Sequence, residues 1–138
     1  MRHRNAIIPV LVVLVAAFVA TTASGQQKFR VEKDLLGEKQ VPAEAYWGVQ
    51  TERALENFQI SEVPISHYQG FIEAYAIVKI AAARANHDVG ALPKDKMELI
   101  ERAGEAVMAG QYRDQFQVDW YQGGAGTSTN MNVNEVLA

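Results

Sequence analysis

A mainly α fold carrying a short β-hairpin is predicted by three observations. Apolar residues recur at three- and four-residue steps over two long stretches, residues 68–89 and 93–109. Gly90, Pro93 and Gly110 stand at the ends of those stretches. Weak alternation around a turn marks residues 29–41.

The hairpin is expected from Phe29 and Val31, separated by charges, with Leu36-Gly37-Glu38-Lys39 as a turn before Gln40-Val41. Pro42 is then expected to open a helix at its favoured first position, with Ala43, Trp47, Ala54, Leu55 and Phe58 at roughly helical spacing and Gly48 a weak point. Ile60 to Val63 reads as extended, and Pro64 and Ser66 interrupt the chain. The next helix, Tyr68 to Val89, is expected to bury a stripe of Phe71, Tyr75, Val78, Ala82, Ala85 and Val89. Ile72, Ala76, Ile77, Ile80 and Ala83 widen that stripe into a face needing cover on two sides. Gly90 ends this helix, and Pro93 starts another that turns Met97, Ile100, Ala103 and Val107 inward and stops at Gly110. Gln111 to Tyr121, where Phe116, Val118 and Trp120 alternate, reads as strand-like or irregular. A glycine-rich loop then leads into a last helix carrying Asn130, Asn134, Glu135, Val136 and Leu137.

The 138-residue length suits one domain, but the first 25 residues do not read as part of it. Arg2, His3 and Arg4 precede an uncharged apolar run from Ala6 to Ala23, and Ala23-Ser24-Gly25 offers a small-residue cleavage site. This is the pattern of a secretory signal peptide over residues 1–25, so export to the periplasm is expected, with no stable membrane association after cleavage. An uncleaved membrane anchor is the alternative, since the run reaches the lower edge of a bilayer span.

Composition narrows the partners. Lys and Arg total 13 against 16 Asp and Glu, for a formal charge of -3 that becomes -5 once Arg2 and Arg4 leave with the signal. A mildly acidic, mixed-sign surface is not the footprint of a nucleic-acid binder. Without cysteine there is no disulfide, zinc-thiolate or thiol chemistry, and His3, His67 and His87 show no metal-ligand spacing, so no metal site is expected.

The chemistry concentrates in Gln122-Gly-Gly-Ala-Gly-Thr-Ser-Thr-Asn-Met-Asn132. Three glycines in four positions let backbone come close to a ligand, and Thr127 and Ser128 place hydroxyls beside the free amides of a helix start, which suits a carboxylate or other small anion. No Gly-Lys-Ser/Thr follows, so this is not a phosphate loop of the nucleotide-hydrolase kind. The plain alternative is an N-cap by Thr127 or Ser128. Asn130, Asn132 and Asn134 weigh against it, because asparagine is a poor helix former that a solvent face has no reason to prefer.

Two stretches carry a resemblance. Gly123–Ala138, GGAGTSTNMNVNEVLA, closely resembles the first signature region of the aspartase/fumarase superfamily, and Asp34–Phe58 resembles the N-terminal stretch of aspartate ammonia-lyases. The likeness runs from about Arg30 to Ala138, and Gly-Gly-Ala-Gly-Thr-Ser after Tyr-Gln is similar to aspartases more than to fumarases. The resemblance implies that residues 26–138 form a partial N-terminal lyase domain with the central helical bundle missing. It implies reversible elimination of ammonia from L-aspartate to fumarate, with no cofactor, in a homotetramer whose sites draw on several subunits. Thr127 is expected to bind the substrate carboxylate, with Gly126, Ser128 and Asn130 shaping the pocket; Thr51 and Arg53 receive no role. No catalytic residue is expected within this sequence, because the family's histidine segment and base-serine loop follow later in the chain. The alternatives are a fumarate hydratase of the same superfamily and a non-catalytic exported remnant that binds dicarboxylates. Ala138 falls inside a helix without a stop signal, as expected of a truncated sequence.

Overall fold

A computed structural model describes residues 27–138, so the export segment expected over residues 1–25 lies outside the described residues. Strands β1 (Phe29–Asp34) and β2 (Gly37–Pro42) form an antiparallel hairpin, and four helices follow: α1 (Val49–Asn57), α2 (Gln69–Asp88), α3 (Lys94–Met108) and α4 (Thr127–Leu137). The mainly helical class with one short hairpin is therefore the observed one. No helix among the described residues is long and apolar enough to cross a membrane.

Several local readings change. The hairpin turns at Leu35-Leu36, two residues earlier than expected, because Asp34 pairs with Gly37 across the ladder. Pro42 closes that ladder opposite Phe29 instead of opening a helix, and α1 begins only at Val49. Proline is tolerated both at a strand end and at a first helical position, and here the Arg30 guanidinium decides between them. It donates to the carbonyls of Pro42, Ala43, Ala45 and Trp47 at 2.6 to 3.3 Å, tying down the carbonyls of a non-helical segment.

The start of α1 is completed by two distant carboxylates. The four amides from Gly48 to Thr51 have no carbonyl to reach within the helix. Glu135 of α4 accepts those of Gly48, Gln50 and Thr51 at 2.9 to 3.0 Å, and Glu32 of β1 accepts that of Val49 at 2.9 Å. Both negative charges lie at the positive end of the helix dipole. Gly48 is needed there because a Cβ would stand 2.8 Å from a Glu32 oxygen and 3.0 Å from a Glu135 oxygen. A forked pair between Arg53 and Asp34, at 2.8 and 2.9 Å, fastens the hairpin to the same helix.

Helix α2 buries Ile72, Ala76, Ile80 and Ala83, whereas Val78, Ala82, Ala85 and Val89 of the expected stripe are exposed and Phe71 and Tyr75 half-buried. Both stripes are apolar, and α3 selects the one carrying the bulkier isoleucines. It returns antiparallel, with Glu101 paired to Arg84 and Gly104 packed on Ile80. Gly90 and Gly110 adopt positive φ and end α2 and α3 as expected. Ile60 to Glu62 is bent, not extended, because its amides curl round the Asp119 carboxylate, and Glu62 takes φ 59°. Fully buried Phe116 and Val118 lie on an extended segment bonded to Ile65 and Ser66, and they meet Ile72, Val107, Val133 and Val136 in the core.

Glu135→Ala removes the acceptor of three amides and is expected to cost about 2 to 3 kcal/mol. Urea unfolding checks this, with exposed Glu105→Ala expected to stay within about 0.5 kcal/mol of the parent.

Candidate functional site

Gly126 precedes α4 in the left-handed region, φ 74° and ψ 10°, a conformation glycine takes without steric cost. Thr127 is the first helical residue and is exposed; Ser128 is half-buried and Thr129 buried. Neither Thr127 nor Ser128 caps the helix. That is done by the side chain of Gln122, whose Oε1 accepts the Thr129 amide at 2.8 Å while its Nε2 donates to the Thr129 hydroxyl and to the Asp119 carbonyl. Among the described residues, the amides and hydroxyls of Thr127 and Ser128 have no partner. The helix start thus leaves two amides and two hydroxyls without partners, at the end of the helix whose dipole favours negative charge.

The three asparagines have different explanations. Asn132 is fully buried and donates to the Gln115 carbonyl at 3.0 Å, which makes it a packing bond between α4 and the preceding segment. Asn130 Oδ1 accepts from Lys79 Nζ of α2 at 2.6 Å, leaving its Nδ2 as a donor at the surface of the first turns. Asn134 makes only a long contact with Met131 Sδ, at 3.9 Å.

Two concave surfaces flank this segment. A cleft of about 330 Å³ is lined by Phe71, Tyr75, Trp120, Tyr121, Gln122 and Gly126. A larger groove of about 570 Å³ runs between α2, α3 and the end of α4, lined by Lys79, Ala82, Leu92, Leu99, Ile100 and Leu137 among others. Most of the larger groove's walls are apolar, although Lys79, Asn86, Lys96 and Asn134 also line it, so its size alone does not make it the site. Of the expected residues, Gly126 lines the smaller cleft and Asn130 is bonded to Lys79, whereas Thr127 and Ser128, on the first turn of α4, line neither of these two concavities. Among the described residues, no three His, Asp or Glu side chains group closely enough to hold a metal.

Asp119 supports this region from behind. Its carboxylate accepts the amides of Ile60, Ser61, Glu62 and Tyr121 and the Ser61 hydroxyl at 2.7 to 3.1 Å. Burial pushes this carboxyl up, but the Ser61 hydroxyl and the surrounding amides outweigh it and bring it down to about 2. Sequence reasoning overlooked Asp119, Gln122 and Lys79. The only signal for Gln122 was a glutamine placed directly before the glycines.

The glycine loop thus opens a helix whose first-turn amides and hydroxyls are unpaired, and comparison with known proteins supplies the family. The family described as Lyase matches residues 37–138. The chain belongs to this lyase family, within the aspartase/fumarase superfamily. It is 56% identical to an aspartate ammonia-lyase of Pseudomonas aeruginosa over 79% of its length and 23% of the relative's. It is 50% identical to a class II fumarate hydratase of Halobacterium salinarum over 81% of its length and 23% of that protein's. The fumarate lyase:delta crystallin structure from Brucella melitensis superposes with a TM-score of 0.78 at 48% identity, covering 80% of this chain and 26% of that one. The chain spans about a quarter of the length of the curated relatives it matches.

The depressed Asp119 acid gives a pH dependence with a definite sign. Its carboxylate contributes stability that is fully present above about 3.8 and is lost as pH falls through about 2. Asp34, held low by its Arg53 hydrogen bond, acts in the same direction. Acid unfolding followed by circular dichroism should therefore steepen below pH about 4, and Asp119→Asn should flatten that part of the profile.

Proposed function

We propose that this sequence is the carboxylate-binding portion of an aspartate ammonia-lyase, catalysing reversible elimination of ammonia from L-aspartate to fumarate. The observation that carries the reading is the αL glycine at 126 followed by unpaired Thr127 and Ser128 donors at the start of α4. In the reaction a base takes a proton from the carbon beside the β-carboxylate, and the electron pair moves into that carboxylate as an enediolate. Its collapse forms the carbon–carbon double bond and expels ammonia from the neighbouring carbon. Donors aimed at the enediolate oxygens bind them more tightly than the ground-state carboxylate, which is how electrostatic stabilisation lowers the barrier. Thr127 supplies such a donor, with Ser128 and Gly126 beside it and Asn130 shaping the wall.

The base and the group that meets the departing ammonia are not assigned to any residue of this sequence, and by itself the chain is expected to bind without turnover. The complete site belongs to a homotetramer, reached by export through cleavage after residue 25. Identity to relatives named aspartate ammonia-lyase, 56% and 52%, supports the ammonia-lyase reading. The 50% identity to a class II fumarate hydratase keeps water addition to fumarate as a second reading.

Calorimetric titration of the chain with L-aspartate, fumarate and L-malate tests this. Binding of aspartate and fumarate is expected, weakened about ten-fold in Thr127→Val by loss of a charge-assisted hydrogen bond. Preference for malate over aspartate would favour the hydratase, and equal binding by Thr127→Val would remove Thr127 from the site. Release of fumarate from L-aspartate by the purified chain would contradict the absence of turnover.

A further inference from the structure

Gln122 is not among the residues expected to touch a ligand, yet it spans the glycine loop at its base. Only six residues separate it from Thr129, and its amide group joins the two ends twice, by accepting the Thr129 amide and donating to the Thr129 hydroxyl. A third bond, from Nε2 to the Asp119 carbonyl at 3.2 Å, anchors the clasp to the segment curled round the Asp119 carboxylate. The loop between, residues 123–126, contributes almost no hydrogen bond of its own: the Asn130 amide to the Gly126 carbonyl, at 3.0 Å, begins the regular helix. Two of its glycines, Gly124 and Gly126, hold positive φ. Glycine backbone has the most freedom to lose on ordering, so a loop of this composition keeps one shape only when its ends are held.

We propose that Gln122 is a positioning residue: its side-chain amide clasps Thr129 and thereby fixes the direction in which the Thr127 and Ser128 donors face the carboxylate of a dicarboxylate ligand. The inference rests on the carboxylate-binding reading given under Proposed function. Gln122 needs both halves of its amide for this, the oxygen as acceptor and the nitrogen as donor. The clasp also explains why neither Thr127 nor Ser128 is consumed as a helix cap. Capping of the Thr129 amide is taken over by Gln122, and the first two hydroxyls stay available to a ligand. Because Gln122 lines the cleft that Gly126 faces, a loosened clasp would open loop and cleft together.

The test uses the 138-residue chain with fumarate as the probe, and compares Gln122→Met, Thr129→Val and the double variant by calorimetry and urea unfolding. Methionine matches glutamine in length but can neither accept nor donate as the amide does. Gln122→Met is expected to raise the Kd of the folded protein about ten-fold or more, as misplaced donors do. The double variant should bind no worse than Gln122→Met alone, since both changes break one clasp. A Kd unchanged in Gln122→Met, with or without a lower unfolding midpoint, would make Gln122 merely structural and overturn the inference. Failure of the unaltered chain to bind fumarate would instead overturn the carboxylate-binding reading and this inference with it, an outcome visible before any variant is compared.

Discussion

One carboxylate, that of Glu135, holds the two halves of this structure in register. It stands in the third turn of α4 and accepts three backbone amides at the start of α1, more than eighty residues earlier in the chain. Glu32 completes the set with the fourth amide, and Arg30, paired with Glu32 at 2.7 Å, holds the carbonyls of the segment leading in. Each group is matched: amides with carboxylates, carbonyls with guanidinium. Removing one member leaves partly buried polar backbone without a partner, which is costlier than the net value of any single bond.

That constraint reaches the candidate site because α4 is the element that carries it. The helix is pinned along its length, by Gln122 at Thr129, by Lys79 at Asn130, by the Gln115 carbonyl at Asn132 and by the α1 amides at Glu135. Val133, Val136 and Leu137 of the same helix join the core. A helix so fixed presents its first-turn donors without further ordering when an anion arrives, so little of the binding free energy is spent on immobilising them. The glycine loop is the mobile-backbone composition in an otherwise braced segment, which is where a close approach between backbone and ligand is possible.

Readable in the sequence were features set by chemistry within a few residues. Gly90 and Gly110 end helices because their positive φ suits a C-terminal cap, and Pro93 starts one by preceding α3. The start of α4 was likewise visible in Gly126, which takes positive φ just before Thr127 and Ser128 open the helix. What escaped depended on partners far along the chain. Pro42 fits a strand end or a helix start equally well, and Arg30 settles the matter through four carbonyls. The two apolar stripes of α2 cannot be ranked by periodicity, since α3 decides which is covered. The clustered asparagines pointed to a use for side-chain amides, and Asn132 proved to use its own in the core.

If α4 is a braced helix whose first turn receives a carboxylate, fumarate should perturb that turn and little else. Amide chemical shifts of the isotope-labelled chain, followed during a fumarate titration, read this directly. Saturable shifts centred on the amides of Gly126, Thr127 and Ser128 are expected, with Gly48, Gln50 and Thr51 unmoved. Shifts centred instead on the apolar groove at Leu99, Ile100 and Leu137, or no shifts at all, would contradict this expectation.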